Sequence, residues 1–433
     1  MKRISTILLL ILLSISVNGQ TNNDNLSYKL DEYFSALAKL KNFNGNVMIA
    51  KHGRLLLDKT YNIEEVTDSI KVTKDSKFII ASVSKLFIKF SILQLVELKK
   101  IKLTDNLTTL IPDFPNAEKI TIEHLMHHQS GLPRELTAKD SYDSLSLSKI
   151  VELAKLEKLQ FEPGSQTLYS NVGYFLLHHI IAKKSSNGYL AFIQNKIFNK
   201  MKLNNTLEFN STKSLPEFAM GYDNENGKLI PTSIKKIRKA ETGNYLSTIG
   251  DLYSFSQQIL SGEALKKSLA IEMFGNDSIV SQSGGRSGYR SYFYKNLKTD
   301  VTFIFLSNYT DIPFQQVTTD VINILDNKEY EIPHKIDRIE IQVPTEILKK
   351  YTGKFALEAD LTQTFSIELI DNKLFQVDTN GDKFQLHPDS ETTFFESPNT
   401  KDGFIFTLNE QSNEYELTIV SGGINLKMTT QKE

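Results

Sequence analysis

The sequence predicts an α+β fold: an antiparallel sheet flanked by helices, a mostly helical second lobe, and a small all-β barrel at the C-terminus. Three observations carry this expectation. Short apolar runs with turn signals stand near both ends of the first 330 residues. Between them, helical patterns are broken by Pro112, Pro115, Pro133 and Pro163. After residue 344 the apolar residues mostly alternate, as they do in strands.

Taken in order, Lys2 and Arg3 precede an apolar run from Ile7 to Val17 that closes on Val17-Asn18-Gly19-Gln20. This is the pattern of a secretory signal over residues 1–19, cleaved near Gln20. The run is too short for a bilayer core of about 30 Å at about 1.5 Å per residue. The expected location is therefore periplasmic or secreted, with no membrane span once the signal is removed.

Leu30, Tyr33, Phe34, Leu37 and Leu40 recur at helical spacing, and Gly45 is expected to end that helix. Asn46 to Ala50 and Leu55 to Tyr61 flank Lys51-His52-Gly53-Arg54, a hairpin signal. From Val83 to Leu98 apolar residues occupy nearly every side of a helix that begins at Ser82, so that helix is expected to be buried all round. Ser291 to Tyr294 and Val301 to Leu306 form a second hairpin signal, and Phe314 to Leu325 a closing helix.

These elements place a catalytic domain at 20–330. Residues 331–344 are charged, contain Pro333 and lack a helical period, which marks a linker. Over 345–433, alternating runs at Phe365 to Leu369, Leu374 to Val377, Phe404 to Leu408, Tyr415 to Ile419 and Ile424 to Met428 are expected as strands. They are separated by Asp371-Asn372, Asn380-Gly381, Asp402-Gly403 and Gly422-Gly423.

Composition narrows the function. A net charge of −1 removes the electrostatic case for nucleic acid or an anionic membrane surface, leaving small molecules or proteins as partners. The absence of cysteine excludes disulfides, a thiolate metal site and a cysteine nucleophile. His124, His127 and His128 share spacing with helical metal ligands, but no acidic residue is placed as a catalytic partner, so neither a metal nor a cofactor is expected.

Ser82-Val83-Ser84-Lys85 is the central motif, because a serine three positions before a lysine at a helix start shares a face with it. A serine N-cap followed by a surface lysine gives the same spacing. Here, however, Lys85 falls in the most apolar stretch of the mature chain, where a charged amine is costly unless paired or used. A desolvated lysine beside a serine is a plausible base for a nucleophilic hydroxyl. Ser84 lacks a lysine three residues on.

Tyr169-Ser170-Asn171 follows the turn Phe161-Glu162-Pro163-Gly164 and lies on a loop before a helical run. A phenol serves as a base only beside a cation such as Lys85, so the two motifs need each other. Gln282-Ser283-Gly284-Gly285 reads either as a strand edge whose backbone approaches a ligand or as a simple loop or bulge.

In this order the three motifs resemble the serine β-lactamase and penicillin-binding-protein superfamily, in its class C and esterase-like branch, for which S-x-x-K is a signature. The likeness extends to Phe78 to Lys85, Thr121 to Pro133, Phe161 to Gly164 and Gly243 to Asp251, and runs from about Tyr28 to Leu325. The C-terminal module is similar to lipocalin-like barrels appended to such hydrolases.

The resemblance implies Ser82 as nucleophile and Lys85 as its proton acceptor. It implies that Tyr169 carries the proton to the leaving group and activates the deacylating water, and that Asn171 binds a substrate amide. The backbone N–H groups of Ser82 and Gly285 would form the oxyanion hole, beside Gln282, Ser283 and Gly284.

Family members usually carry lysine or histidine where this chain has Gln282. Without that cation, penicillin-like acids are expected to bind weakly unless Arg286 or Arg290 compensates. The expected activity is hydrolysis of esters or D-amino-acid peptides rather than efficient β-lactam turnover. The alternatives are a non-catalytic relative that binds cell-wall peptide or a protein partner, and a lipid carrier built on the C-terminal barrel.

Overall fold

A computed structural model describes residues 24–431, apart from 64–69, 138–144, 210–214, 226–227, 233–244, 359, 380, 399–400 and 422–423. The expected signal segment and the Gly422-Gly423 turn lie outside the described residues. The chain divides into two compact units after Asp311.

The first unit is organised on a five-stranded sheet. Its strands are β1 (Gly45–Lys51), β2 (Arg54–Tyr61), β8 (Ile279–Arg286), β9 (Tyr289–Asn296) and β10 (Val301–Ser307), in the order β2-β1-β10-β9-β8. Four shorter strands lie between them in sequence: β3 (Phe78–Ile79), β4 (Leu207–Glu208), β5 (Tyr222–Glu225) and β6 (Lys228–Pro231). A fifth, β7 (Tyr245–Ser247), pairs with β3 and β4. Both expected hairpins form, and His52 and Gly53 turn the first with positive φ.

The two-residue period of a strand explains the layering. Phe303 and Phe305 face one way, onto Tyr292, Phe43 and Phe34. Phe34 belongs to helix α1 (24–39), whose Leu30, Tyr33, Phe34 and Leu37 are buried as their spacing requires. Ile304, Leu306 and Phe293 face the other way, into the large helical core. Burying both faces is why β10 is apolar almost throughout.

Gly45 does not end α1, which stops several residues earlier. It opens β1, where an added Cβ would lie 2.0 Å from the Leu306 carbonyl oxygen, so glycine is there to let β10 approach.

The helical lobe is built around α2 (Lys85–Glu97), whose Phe87 meets Phe198, Tyr245 and Phe255 edge-on. Around it stand α3 (Ile122–Met126), α4 (Leu147–Ala154) and α5 (Asn171–Lys184). The start of α2 differs from expectation: Ser82 lies in a 3₁₀ turn, Ala81–Ser84, and the α-helix begins at Lys85.

The second unit contains the expected helix Phe314–Leu325 and a closed eight-stranded barrel. Its strands are β11 (Gly353–Leu357), β12 (Asp360–Ile370), β13 (Lys373–Val377), β14 (Lys383–Pro388), β15 (Thr393–Phe395), β16 (Gly403–Asn409), β17 (Glu414–Ser421) and β18 (Ile424–Thr430). Pairing of Phe355 with Thr430 closes it. Asp371 and Asn372 both take positive φ, as a two-residue hairpin turn requires.

The barrel core is aromatic: Tyr351, just before β11, stacks on Phe406 at 4.2 Å and meets Tyr415 edge-on at 4.9 Å. Residues 331–344 have no regular structure but are strapped to the barrel. Arg338 pairs with Asp389, donates to the Asp402 carbonyl at 2.8 Å and lies over the Phe395 ring.

Two buried amides tie the start of β1 to the end of β10. Asn44 donates to Asn308 Oδ1 at 2.7 Å and accepts from the Ile63 N–H at 2.8 Å, while Asn308 donates to the Ile70 and Met220 carbonyls at 3.1 and 2.8 Å. Replacing Asn308 strands several buried partners, each costing roughly 1–3 kcal/mol. We expect Asn308→Ala to lose about 3 kcal/mol in urea unfolding. A loss below about 1 kcal/mol would show that the network contributes little.

Candidate active site

The polypeptide places Ser82 on a strained turn. Ala81 has φ +43°, unfavourable for a residue with a Cβ. Ile80 anchors the turn: its N–H donates to the Tyr245 carbonyl at 3.0 Å, and its own carbonyl accepts from Val83 N–H at 3.0 Å and from Ser291 Oγ at 2.8 Å.

Lys85 follows at the first position of α2, and its Nζ donates to Ser82 Oγ at 3.1 Å. The same ammonium lies 5.1 Å from the Tyr169 ring centre and 5.4 Å from that of Tyr174, within cation–π range of both.

Tyr169 arrives from the loop before α5 and donates its phenolic hydrogen to Ser82 Oγ at 2.8 Å. Ser82 and Lys85 are thus brought together with Tyr169 from two parts of the sequence. Burial raises the Tyr169 phenol above its ordinary value of 10.0, and the bond to Ser82 and the charge of Arg134 offset this only in part. The phenol is therefore protonated at neutral pH and stands as a proton donor.

The loop 128–135 sets the Tyr-Ser-Asn triplet. Ser170 caps α5, accepting from Gly173 N–H at 3.0 Å, donates Oγ to the Pro133 carbonyl at 2.8 Å, and gives its N–H to His128 Nδ1 at 3.1 Å. Asn171 N–H reaches the Arg134 carbonyl at 2.9 Å, and its side-chain Nδ2 donates to Glu135 Oε1 at 2.5 Å.

His128 lies between the Tyr169 ring at 4.5 Å and the Tyr174 ring at 5.0 Å, and Arg134 covers Tyr169 at 5.0 Å. His128, Arg134 and Glu135 are absent from the sequence-based site. Their only signal was the Ser130-Gly131-Leu132-Pro133 segment, which marks the loop without saying what it touches.

The three neighbouring histidines have separate tasks. His124 closes a capping box on Thr121 at the start of α3, His127 is half-buried, and His128 supports the tyrosines. No cluster of three or more His, Asp or Glu able to hold a metal occurs among the described residues.

The fourth wall is β8. Register pairs Gln282 with Phe293, Ser283 with Tyr292, Gly284 with Ser291 and Gly285 with Arg290, leaving β8 with one free edge as the outermost strand. A Cβ on Gly284 would lie 2.3 Å from Ser291 Oγ, 2.4 Å from the Ile80 carbonyl oxygen and 3.1 Å from the Ser82 nitrogen. Only glycine lets this strand lie against the Ser82 turn.

Gln282 gives its side-chain N–H to the Ser283 carbonyl at 2.8 Å. Arg290 turns its guanidinium back onto the Arg286 and Tyr289 carbonyls, at 3.1 and 3.0 Å. Two residues beyond Gly285, Asp223 holds the β8–β9 turn through Ser287, the Gly288 N–H and Thr310.

The β-lactamase family profile matches residues 30–325, and the chain belongs to that family. Penicillin-binding protein 4* of Bacillus subtilis is 27% identical over 412 residues, covering 84% of this chain and 90% of that protein.

Among solved structures, the octameric penicillin-binding protein homologue from Pyrococcus abyssi aligns with a TM-score of 0.63 at 20% identity, over 93% of this chain and 99% of that one. D-amino acid amidase from Ochrobactrum anthropi SV3, complexed with L-phenylalanine amide, aligns with 0.59 at 20% identity, over 69% and 99%. The architecture is that of the penicillin-binding-protein-like serine hydrolases. No helix among the described residues is long and apolar enough to cross a membrane.

Burial pushes His128 down to about 4, with the charges of Lys85, Lys89 and His127 adding to the effect, and burial brings His178 to about 4 as well. Each ring holds a proton less tightly folded than unfolded. The unfolded chain therefore takes up more protons below pH 6.5, and stability falls from about pH 6.5 toward pH 4, by about 3 kcal/mol per ring. Thermal unfolding should show Tm already dropping between pH 6.5 and 5, with a shallower drop in His178→Asn. An unchanged slope in that variant would contradict the assignment.

Proposed function

We propose that this protein is an exported serine hydrolase that forms an acyl-enzyme on Ser82 and cleaves esters or amides, D-amino-acid peptides among them. The carrying observation is that Ser82 Oγ accepts from both Lys85 Nζ at 3.1 Å and Tyr169 Oη at 2.8 Å. Lys85 in its amine form can take the hydroxyl proton, and the Tyr169 phenol can supply one to the leaving group.

In the proposed reaction, Lys85 as the free amine takes the hydroxyl proton while Ser82 Oγ attacks the substrate carbonyl. The developing oxyanion is received by the backbone N–H groups of Ser82 and Gly285, each worth about 3 kcal/mol in comparable acyl transfers. Tyr169, a protonated phenol, gives its proton to the departing nitrogen or oxygen and regains one from Lys85. In the second half Tyr169 passes its proton to the Lys85 amine and takes one from the water that attacks the acyl group, and Lys85 returns its proton to Ser82 Oγ as the acid leaves.

The D-amino acid amidase likeness fits amide hydrolysis, and the N-terminal sequence pattern supports export. The Gln282 side chain, neutral and engaged with the strand, supports poor handling of substrate carboxylates. Arg290 is committed to backbone carbonyls and is a poor replacement.

A fluorophosphonate probe should label the wild type on Ser82 and leave Ser82→Ala unlabelled, with Lys85→Ala labelling at least about 100-fold more slowly. A wild type that does not label would end this reading in favour of a binder without turnover, and equal labelling of Ser82→Ala would place the nucleophile elsewhere. Gln282→Lys should raise the rate of benzylpenicillin acylation about tenfold, since a charge-assisted bond exceeds a neutral one by roughly 1 kcal/mol or more. Efficient turnover of benzylpenicillin by the wild type would refute the substrate preference.

A further inference from the structure

Resting on the hydrolase reading, we infer that Arg134 is a positioning residue for the leaving-group acid: laid on the Tyr169 ring, its guanidinium steadies the negative charge that grows on the phenol as the proton departs. Three nitrogen-bearing side chains lie against that ring, His128 with centroids 4.5 Å apart, Arg134 at 5.0 Å and Lys85 at 5.1 Å. They differ in whether a charge is present when it is needed. Burial keeps His128 neutral, and Lys85 has to be the free amine when it takes the Ser82 proton. A guanidinium does not give up its proton in proteins, so Arg134 brings a positive charge to every stage.

During acylation the Tyr169 O–H bond breaks as the proton bonds to the departing oxygen or nitrogen, whose bond to the acyl carbon breaks with it. The phenol oxygen keeps the electron pair until Lys85, protonated by the attack, supplies another proton. Before this step the guanidinium meets only the quadrupole of a neutral ring, and during it a growing charge. A contact that strengthens in the transition state raises the rate rather than binding alone. Burial raises the Tyr169 phenol and so weakens it as an acid; the bond to Ser82 and the charge of Arg134 work against this, and the charge of Glu135 works with it.

The backbone fixes the pairing. Asn171 N–H donates to the Arg134 carbonyl at 2.9 Å, Ser170 Oγ to the Pro133 carbonyl at 2.8 Å and Leu168 N–H to the His128 carbonyl at 2.9 Å. Residues on both sides of Tyr169 are thus bonded to the segment that carries Arg134, so cation and phenol are held as one piece. Across the site β8 presents Gln282, which is neutral and gives its amide N–H to the Ser283 carbonyl. Arg134 is exposed, so solvent and salt screen its charge and keep the effect modest.

The test compares trifluoroethyl butyrate with p-nitrophenyl butyrate, using wild type, the neutral variants Arg134→Met and Arg134→Gln, and Arg134→Lys. Both esters give the same acyl-enzyme, but p-nitrophenolate leaves as a stable anion, whereas the alkoxide needs a proton. Fluorophosphonate labelling of Ser82 reports whether each protein is folded and competent.

In the neutral variants the ratio of kcat/KM for the trifluoroethyl over the p-nitrophenyl ester should fall about fivefold while labelling persists, and Arg134→Lys should recover part of the loss. A packing role alone would lower both rates together. An unchanged ratio in the neutral variants, or a ratio in Arg134→Lys no higher than theirs, overturns this inference and leaves the hydrolase reading standing. So does a wild type that labels yet cleaves no trifluoroethyl ester, since Arg134 would then have no working acid to serve. A wild type that neither labels nor hydrolyses either ester overturns the hydrolase reading itself.

Discussion

Two hydrogen-bond donors, one at the start of α2 and one on the loop before α5, meet on a single hydroxyl oxygen, and the arrangement of the first unit can be traced from that meeting. Ser82 reaches it through a turn with Ala81 at φ +43°, a conformation that costs on the order of 1–3 kcal/mol and persists only where its surroundings enforce it. The enforcement is visible: β7 holds the Ile80 N–H, Ser291 of β9 holds its carbonyl, and Gly284 of β8 lies against the Ser82 nitrogen. The sheet edge and the start of α2 are therefore fitted to one another.

Around the hydroxyl, charge and aromatic surface are matched. Lys85 lies against two phenol rings, where a cation is attracted to the ring faces. The next ring outward is His128, held neutral by burial, which supports both tyrosines without adding a second positive charge beside Lys85. A charged imidazole there would oppose the lysine and disturb the phenol that contacts Ser82. The loop around Ser130 to Pro133 thus acts on the site through the two side chains it lays on Tyr169, His128 and Arg134.

Much of this was legible in the sequence because it is written locally. The spacing of Ser82 and Lys85, the unbroken apolar surface of α2, two of the three hairpins of the large sheet and most barrel strands each follow from a short window of residues. What escaped depends on distant partners. Gly45 read as a helix stop because glycine commonly is one, whereas its need arises from the Leu306 carbonyl of a strand some 260 residues away. β15, only Thr393–Phe395, is too short to alternate and exists because the barrel closes around it. Glu135 and His128 stayed hidden because only the folded loop brings them to Tyr169 and Asn171.

The central claim, that Lys85 and Tyr169 act as one unit on Ser82, is tested most directly by a double-mutant cycle on kcat/KM for a p-nitrophenyl ester, using Lys85→Ala, Tyr169→Phe and the combined variant. If the two groups serve the same proton transfers, the double variant should be little worse than the weaker single one, because groups working as a unit are strongly non-additive. Losses that simply multiply would mean that the two side chains act independently, and the shared contact on Ser82 Oγ would then have no catalytic meaning.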